Sequence, residues 1–253
     1  KFKTQHDLED HLHAGASFSV LSSPAKDEMK TIVFGVNHQT ITSNDRVVSA
    51  ASCTTNCLAP LLDALHQDFN VLSGFMTTTH AMTGDQRIID SSHTDLCRAR
   101  AASNSIIPTK TGAASSIGKV IPALKGRIDG LALRVPTLNV SVVDLVVNVA
   151  KTPTQLEVER CFEQYSLLSQ HIMGINTIPL VSTDFNHRGE SVIVDQSQLM
   201  ITNNMIKVLA WYDNEWAFSK RMLDIAIYWG TMHGKITKDQ SSTYLQQADT
   251  VAG

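Results

Sequence analysis

The 253 residues are 43% hydrophobic and 18% charged, enough to bury a sizeable core in one large domain or two small ones. A formal net charge of -3 gives no broad basic field, which argues against nucleic acid or an anionic membrane as a partner, and no apolar run reaches the roughly 20 residues a spanning helix needs. The four cysteines, Cys53, Cys57, Cys97 and Cys161, are too few for a disulfide scaffold and lack paired zinc spacing, so no metal is expected and a reducing cytoplasm is the simplest setting.

In chain order, residues 4–14 read as a short helix stopped by Gly15, as glycine stops helices by adopting a left-handed backbone. Three short apolar runs, 18–21, 31–36 and 47–51, read as strands separated by polar turn clusters. Leu58, Leu61, Leu62, Leu65 and Phe69 recur at helical spacing, so a helix runs over 54–69 and Ser52-Cys53-Thr54 lies where a strand turns into it. A strand over 74–81, a polar loop from 83 to about 103 and a short helix over 112–124 come next. Strands follow at 131–135 and 140–149, then a helix capped by Thr152 or Thr154 and running to about 168. Strands at 179–185, 191–195 and 205–212 and a helix from 214 to about 229 complete the pattern. Beyond it lies a tail rich in Lys, Gln, Ser and Thr, expected to be partly disordered.

This order predicts an α+β catalytic domain joined to the end of a dinucleotide-type α/β domain. No two of the 13 glycines stand at G-x-G spacing, so the phosphate-cradling turn of such a domain is not among these residues. The chain opens on Lys1, in what reads as the middle of an α/β unit.

Cys53 carries the chemical interest. Backbone N–H groups at a helix start favour a thiolate over a thiol, and a neighbouring imidazole adds to the effect, so its pKa is expected to fall below the ordinary value of about 8.5. Taken alone, a cysteine at such a position is more often a small core residue than a nucleophile.

The run Ala50-Ala51-Ser52-Cys53-Thr54-Thr55-Asn56-Cys57-Leu58-Ala59-Pro60 resembles the catalytic-cysteine signature of the glyceraldehyde-3-phosphate dehydrogenases. Further stretches agree in order: Thr79 to Gln86, Arg98 to Ala102, Ile106 to Ala114, Arg134-Val135-Pro136 and Trp211 to Glu215. The likeness covers about residues 1–233. It implies an α+β catalytic domain with the remnant of an α/β Rossmann-type dinucleotide-binding domain. Residues 1–52 would be the end of the cofactor domain, 53–213 the catalytic domain, 214–233 a helix returning to the cofactor domain and 234–253 a polar tail.

The resemblance also implies roles. Cys53 attacks an aldehyde and His80 takes the proton, hydride passes to NAD or NADP, and phosphate cleaves the resulting thioester to an acyl phosphate. Thr83 and Arg134 fall on the substrate phosphate, and Ser52, Thr54, Thr111 and Gly112 on the attacking phosphate, with Arg98 contributing. Asn214 and Ser22 fall on the cofactor. The implied partners are a sugar-phosphate aldehyde and inorganic phosphate, and the implied assembly is a cytoplasmic homotetramer. Residues 1–253 alone, without the glycine turn, are expected to be inactive.

Some positions depart from the pattern. Ala102 to Ser105, Ser182 to His187, Trp216 and Phe218 lean toward the related erythrose-4-phosphate dehydrogenases, which release an acid, whereas Thr83-Gly84-Asp85 and Thr111 to Ala114 match the phosphorylating branch. Ser91-Ser92 stands where NAD-restricted and NADP-accepting relatives differ, which favours dual cofactor use. Cys97 and Ala217 replace a common basic residue and a common glycine. A relic without catalysis and a thiol redox sensor are the readings from other classes.

Overall fold

A computed structural model describes residues 2–169 and 171–237. The chain begins with helix α1, Gln5–His13, started by a reciprocal cap in which Thr4 accepts from the Asp7 N–H and the Asp7 carboxylate accepts from the Thr4 N–H. Strands β1, Ser19–Leu21, and β2, Val47–Ser49, pair in parallel. The strand expected at 31–36 does not form beyond a single bridge between Thr31 and Ser49. Asn37 folds back over this segment, its Oδ1 accepting from the Val33 N–H at 2.7 Å and its Nδ2 donating to the Thr31 carbonyl at 2.9 Å, while Gly35 takes φ +90°. The apolar run was core rather than strand: Ile32 and Val33 are fully buried.

Helix α2, Cys53–Phe69, follows at once, capped by the Ser52 hydroxyl, and ends at Asn70 in the left-handed conformation. It lies against a seven-stranded mixed sheet. The sheet comprises β3, Val71–His80; β4, Ile107–Lys110; β5, Ile128–Arg134; β6, Ser141–Val149; β7, Met173–Asn176; β8, Val192–Thr202; and β9, Met205–Tyr212. Their spatial order is β4-β5-β3-β6-β9-β8-β7. Helices α3, Ala113–Val120, and α4, Gln155–Leu168, pack beside α2. Met76, Val143, Leu145, Val147, Ile206 and Val208 point from the sheet into that core, as a period of two requires. The opposite face leaves Phe75 and Leu131 exposed. Among the described residues no helix is long and apolar enough to cross a membrane.

Three further expectations need correction. The helix over 112–124 breaks at Pro122, whose ring and missing N–H end α3 and leave a 3-10 turn. The strand over 179–185 is instead a loop and a 3-10 turn, because the Asp184 carboxylate accepts from the Val181 N–H and closes the backbone on itself. On its outer side β8 pairs with β7, which the sequence pattern does not reveal, nor does it reveal β4. Of the two cap candidates for α4, Thr154 serves.

Helix α5, Trp216–Met232, begins two residues after Asn214, so Asn214 does not cap it. The Asp213 carboxylate does, accepting from the N–H groups of Glu215 and Trp216 at 3.0 and 2.8 Å. The helix returns to the first unit, where fully buried Trp229 stacks on Phe18 at 4.6 Å within a core formed with Ile32, Val48 and Ala50. Most of the polar tail lies outside the described residues.

Candidate active site

Strand register builds one edge of the sheet into a site. β3 and β5 run in parallel with His80 beside Arg134, and β6 and β9 run antiparallel with Ser141 beside Tyr212. The ends of β3, β5 and β9 and the start of β6 therefore share an edge, and α2 delivers Cys53 to it. The approach to Cys53 is strained. Fully buried Ala51 holds φ at 61°, a left-handed backbone that non-glycine residues adopt at a cost and mainly where function requires it. Asn56 fixes this turn by donating to the carbonyls of Ala50 and Ser52 at 2.8 and 2.9 Å.

Cys53 Sγ lies 3.5 Å from His80 Nε2. Burial, together with the positive charge of Arg134, depresses the imidazole pKa from 6.5 to about 4, so His80 is neutral near pH 7. The thiol differs from expectation. Desolvation raises its pKa above the ordinary value, and the hydrogen bonds from Thr54 and the charge of Arg134 offset this only in part. Loss of water is thus the largest influence on the thiol, and it opposes the helix start and the Arg134 charge. Cys57, four residues on, is fully buried in the core and its thiol is raised well above the ordinary value, which leaves it inert.

Tyr212 joins the parts. Its hydroxyl lies 2.9 Å from the Thr54 hydroxyl and 2.8 Å from that of Thr78, and its ring meets His80 edge-on at 6.0 Å. Thr54, expected at the attacking phosphate, is 4% exposed with its hydroxyl committed to Tyr212. Ser141 donates to Asn214 Oδ1 at 2.8 Å and accepts from the Ala81 N–H at 3.1 Å, tying the Asn214 amide to the strand end that carries His80. The Asp213 carboxylate is 1% exposed and also accepts from Asn139 Nδ2 and the His187 N–H, both at 2.8 Å.

The remaining expected residues surround this centre on turns. Thr83 gives both its N–H and its hydroxyl to Gln86 Oε1, at 2.8 and 2.9 Å. Arg98 is ion-paired to Asp85 and Asp95. Ser52 caps α2 with its hydroxyl 2.8 Å from that of Thr55. Thr111 and Gly112 make their hydrogen bonds within the start of α3, and neither bonds to the Cys53, His80 and Arg134 group. A Cβ added at Gly112 would meet nothing within 4 Å, so close packing does not require glycine there. Ser22 follows β1, at the same carboxyl edge from which β2 leads into Ala51 and Cys53.

Sequence reasoning therefore named Cys53, His80, Arg134 and Asn214, which the structure gathers, and missed Tyr212, Asp213, Ser141 and Gln86. The first two lie inside the Trp211 to Glu215 stretch already noticed. A tyrosine closing a strand of buried alternation was their available signal.

Residues 52–214 match the family model described as the glyceraldehyde 3-phosphate dehydrogenase, C-terminal domain. The glyceraldehyde-3-phosphate dehydrogenase of Pseudomonas aeruginosa is 49% identical over 226 residues, covering 89% of this chain and 67% of the relative. That of Cereibacter sphaeroides is 48% identical over 234 residues, 91% of this chain and 70% of the relative. A chloroplastic glyceraldehyde-3-phosphate dehydrogenase of Arabidopsis thaliana is 48% identical over 220 residues, 85% of this chain and 55% of the relative. The chain spans about two thirds of the length of the bacterial relatives.

Proposed function

Because the chain belongs to the glyceraldehyde-3-phosphate dehydrogenase family, we propose that it carries the catalytic residues of an NAD- or NADP-dependent, phosphorylating oxidation of glyceraldehyde 3-phosphate. The observation that carries this reading is the Cys53 thiol 3.5 Å from a neutral imidazole, at the start of a helix. Sulfur attacks the aldehyde carbon, the carbonyl π bond opens, and the thiol proton passes through His80 Nε2 to the oxygen, giving a thiohemiacetal. His80 next withdraws the hydroxyl proton as the carbon loses hydride, leaving a thioester on Cys53. A phosphate oxygen then attacks the thioester carbon, the carbon–sulfur bond breaks, and the acyl phosphate departs from the Cys53 thiolate.

A nicotinamide cofactor, when bound, would supply the hydride acceptor. Asn214 suits its carboxamide: Ser141 fixes Oδ1, leaving Nδ2 with only a 3.3 Å contact to Glu215 as a donor for a carbonyl. Ser22 stands at the carboxyl edge of β1, where open α/β sheets receive ligands. No G-x-G pair for the pyrophosphate occurs in these 253 residues.

Thr83, Arg98 and Arg134 hold the substrate phosphate, and Ser52, the Thr54 backbone, Thr111 and Gly112 the attacking one. The same reading assigns residues 1–52 to the cofactor domain, 53–213 to the catalytic domain and 214–233 to the returning helix. Its assembly is a homotetramer in the cytoplasm, for which exposed Phe75 and Leu131 on the open sheet face are suitable contact residues.

Initial rates of NADH and NADPH formation by the full-length gene product test the reading, with glyceraldehyde 3-phosphate and erythrose 4-phosphate, each with and without phosphate. Phosphate-dependent oxidation of the triose is expected. Phosphate-independent preference for the tetrose contradicts it.

A further inference from the structure

The loop that follows β3 is inverted in polarity. Between residues 84 and 101 it exposes Ile88, Ile89 and Leu96, at 62, 75 and 81%, and the one residue it buries is Gln86, at 6%. A buried amide costs free energy unless its polar atoms are hydrogen-bonded. Gln86 meets half of that condition. Its Oε1 accepts twice, from the Thr83 N–H at 2.8 Å and from the Thr83 hydroxyl at 2.9 Å, whereas its Nε2 is buried without a hydrogen-bond partner. The Gln86 N–H returns a bond of 3.0 Å to the Thr83 carbonyl. Three bonds thus close residues 83–86 into one turn, and the side-chain amide is committed to Thr83 alone.

The same turn carries a second anion group, because Asp85, its third residue, is paired with Arg98. Thr83 and Arg98, the two proposed substrate-phosphate residues that lie off the sheet, are therefore both held by a turn whose buried member is Gln86.

The two bonds from Thr83 respond differently to an anion. A hydroxyl carries one hydrogen, which can swing about the Cβ–Oγ1 bond to a phosphate oxygen while the backbone stays still. The N–H has no such freedom, so its bond to Gln86 Oε1 keeps the turn in place as the hydroxyl changes partner. Oε1 loses one donor and keeps the other, which leaves it satisfied.

We propose that Gln86 is a positioning residue: through Oε1 it fixes the Thr83 backbone and occupies the Thr83 hydroxyl until a substrate phosphate takes that hydrogen bond. Preference for phosphorylated over unphosphorylated aldehydes then depends on a buried glutamine that acts through Thr83. No covalent bond changes. The inference rests on the reading that Thr83 meets the substrate phosphate.

Binding of glycerol 3-phosphate, an unreactive phosphate monoester, tests it by calorimetry on the full-length protein as wild type, Gln86→Met, Thr83→Ala and the double variant. Methionine keeps the length of the side chain and removes the acceptor. Each single change is expected to weaken binding roughly 10-fold, as loss of a hydrogen bond to a charged group does. The double variant should be little weaker than either, because residues that act through one another are not additive. Unaltered affinity in Gln86→Met, or losses that multiply to about 100-fold in the double variant, overturns the proposal.

In turnover, Gln86→Met should raise the KM for glyceraldehyde 3-phosphate by a similar factor while kcat and the oxidation of unphosphorylated glyceraldehyde stay unchanged. A merely structural glutamine would lower kcat for both aldehydes, which contradicts the proposal. If Gln86→Met does not fold, hydrogen exchange at the Thr83 amide of the wild type decides. It should be slow with and without glycerol 3-phosphate, and exchange at the rate of an open loop in either state overturns the clamp. Should the wild type not bind glycerol 3-phosphate, the placement of the substrate phosphate at Thr83 fails and the proposal with it. Binding with multiplying losses refutes the role of Gln86 alone.

Discussion

The thiol side and the anion side of the site are built differently. Cys53, His80, Tyr212 and Asn214 sit on strand ends and a helix start, locked by buried bonds between segments far apart in sequence, such as Tyr212 to both Thr54 and Thr78. Thr83, Arg98, Thr111 and Gly112 sit on turns, where Thr83 bonds to Gln86 three residues on and Arg98 pairs with Asp95 and, across the loop, with Asp85. The proposed reacting groups are preorganised, whereas Thr83 and Arg98 would exchange present partners for an anion. Arg134 lies on the boundary, ending a sheet strand yet hydrogen-bonded to His80. In the proposed site, rigid chemistry is thus joined to exchangeable recognition.

The largest effect tests the rigid side. Cys53→Ala should lower dehydrogenase turnover by at least about 10³-fold while shifting stability by less than ~1 kcal/mol, since only a half-buried sulfur is removed; paired rate and melting measurements check this. Asp213→Ala removes an acceptor of four hydrogen bonds and should cost about 3–5 kcal/mol in denaturant unfolding, with a raised KM for the nicotinamide cofactor because the turn that follows Asn214 loses its cap. Should that KM stay put, Asn214 is not held through Asp213.

His80 sharpens the contrast through pH. Its pKa is 6.5 when unfolded and about 4 when folded, so between those values the unfolded chain binds a proton that the folded one refuses. Stability from this residue is therefore full above about pH 6.5 and declines on acidification by up to about 3 kcal/mol near pH 4. Unfolding of His80→Gln compared with wild type across that range should show a flatter profile. The smallest structural effect belongs to the turns. Arg98→Gln breaks partly exposed ion pairs and should change stability by less than about 1 kcal/mol. It should raise the KM for the phosphorylated triose by roughly 10-fold and leave unphosphorylated glyceraldehyde unaffected; equal effects on both substrates would place Arg98 on the rigid side.

The same division decided what could be read in the sequence. β9 and the start of α2 were legible because alternation and helical spacing are local patterns that sheet and core packing reinforce. The run 31–36 misled because Asn37, just beyond it, captures its backbone, and 179–185 because Asp184 does the same to Val181. Both side-chain captures compete with a strand without altering its apolar pattern. β7 and β4 escaped because strands of four residues carry little periodic signal. At the site, the motif around Cys53 named the proposed nucleophile. Tyr212 and Ser141 gain their roles only when β6 and β9 are placed side by side, and the raised thiol pKa follows from burial that the helix position alone does not reveal.

The most direct test of the account is to follow the acyl group itself. The full-length gene product, mixed with glyceraldehyde 3-phosphate and oxidised cofactor without phosphate and then acid-quenched, should show by peptide mass spectrometry a phosphoglyceryl thioester on Cys53 that disappears within turnover time when phosphate is added. Cofactor reduction with no adduct on Cys53, or an adduct that phosphate does not release, would contradict the account.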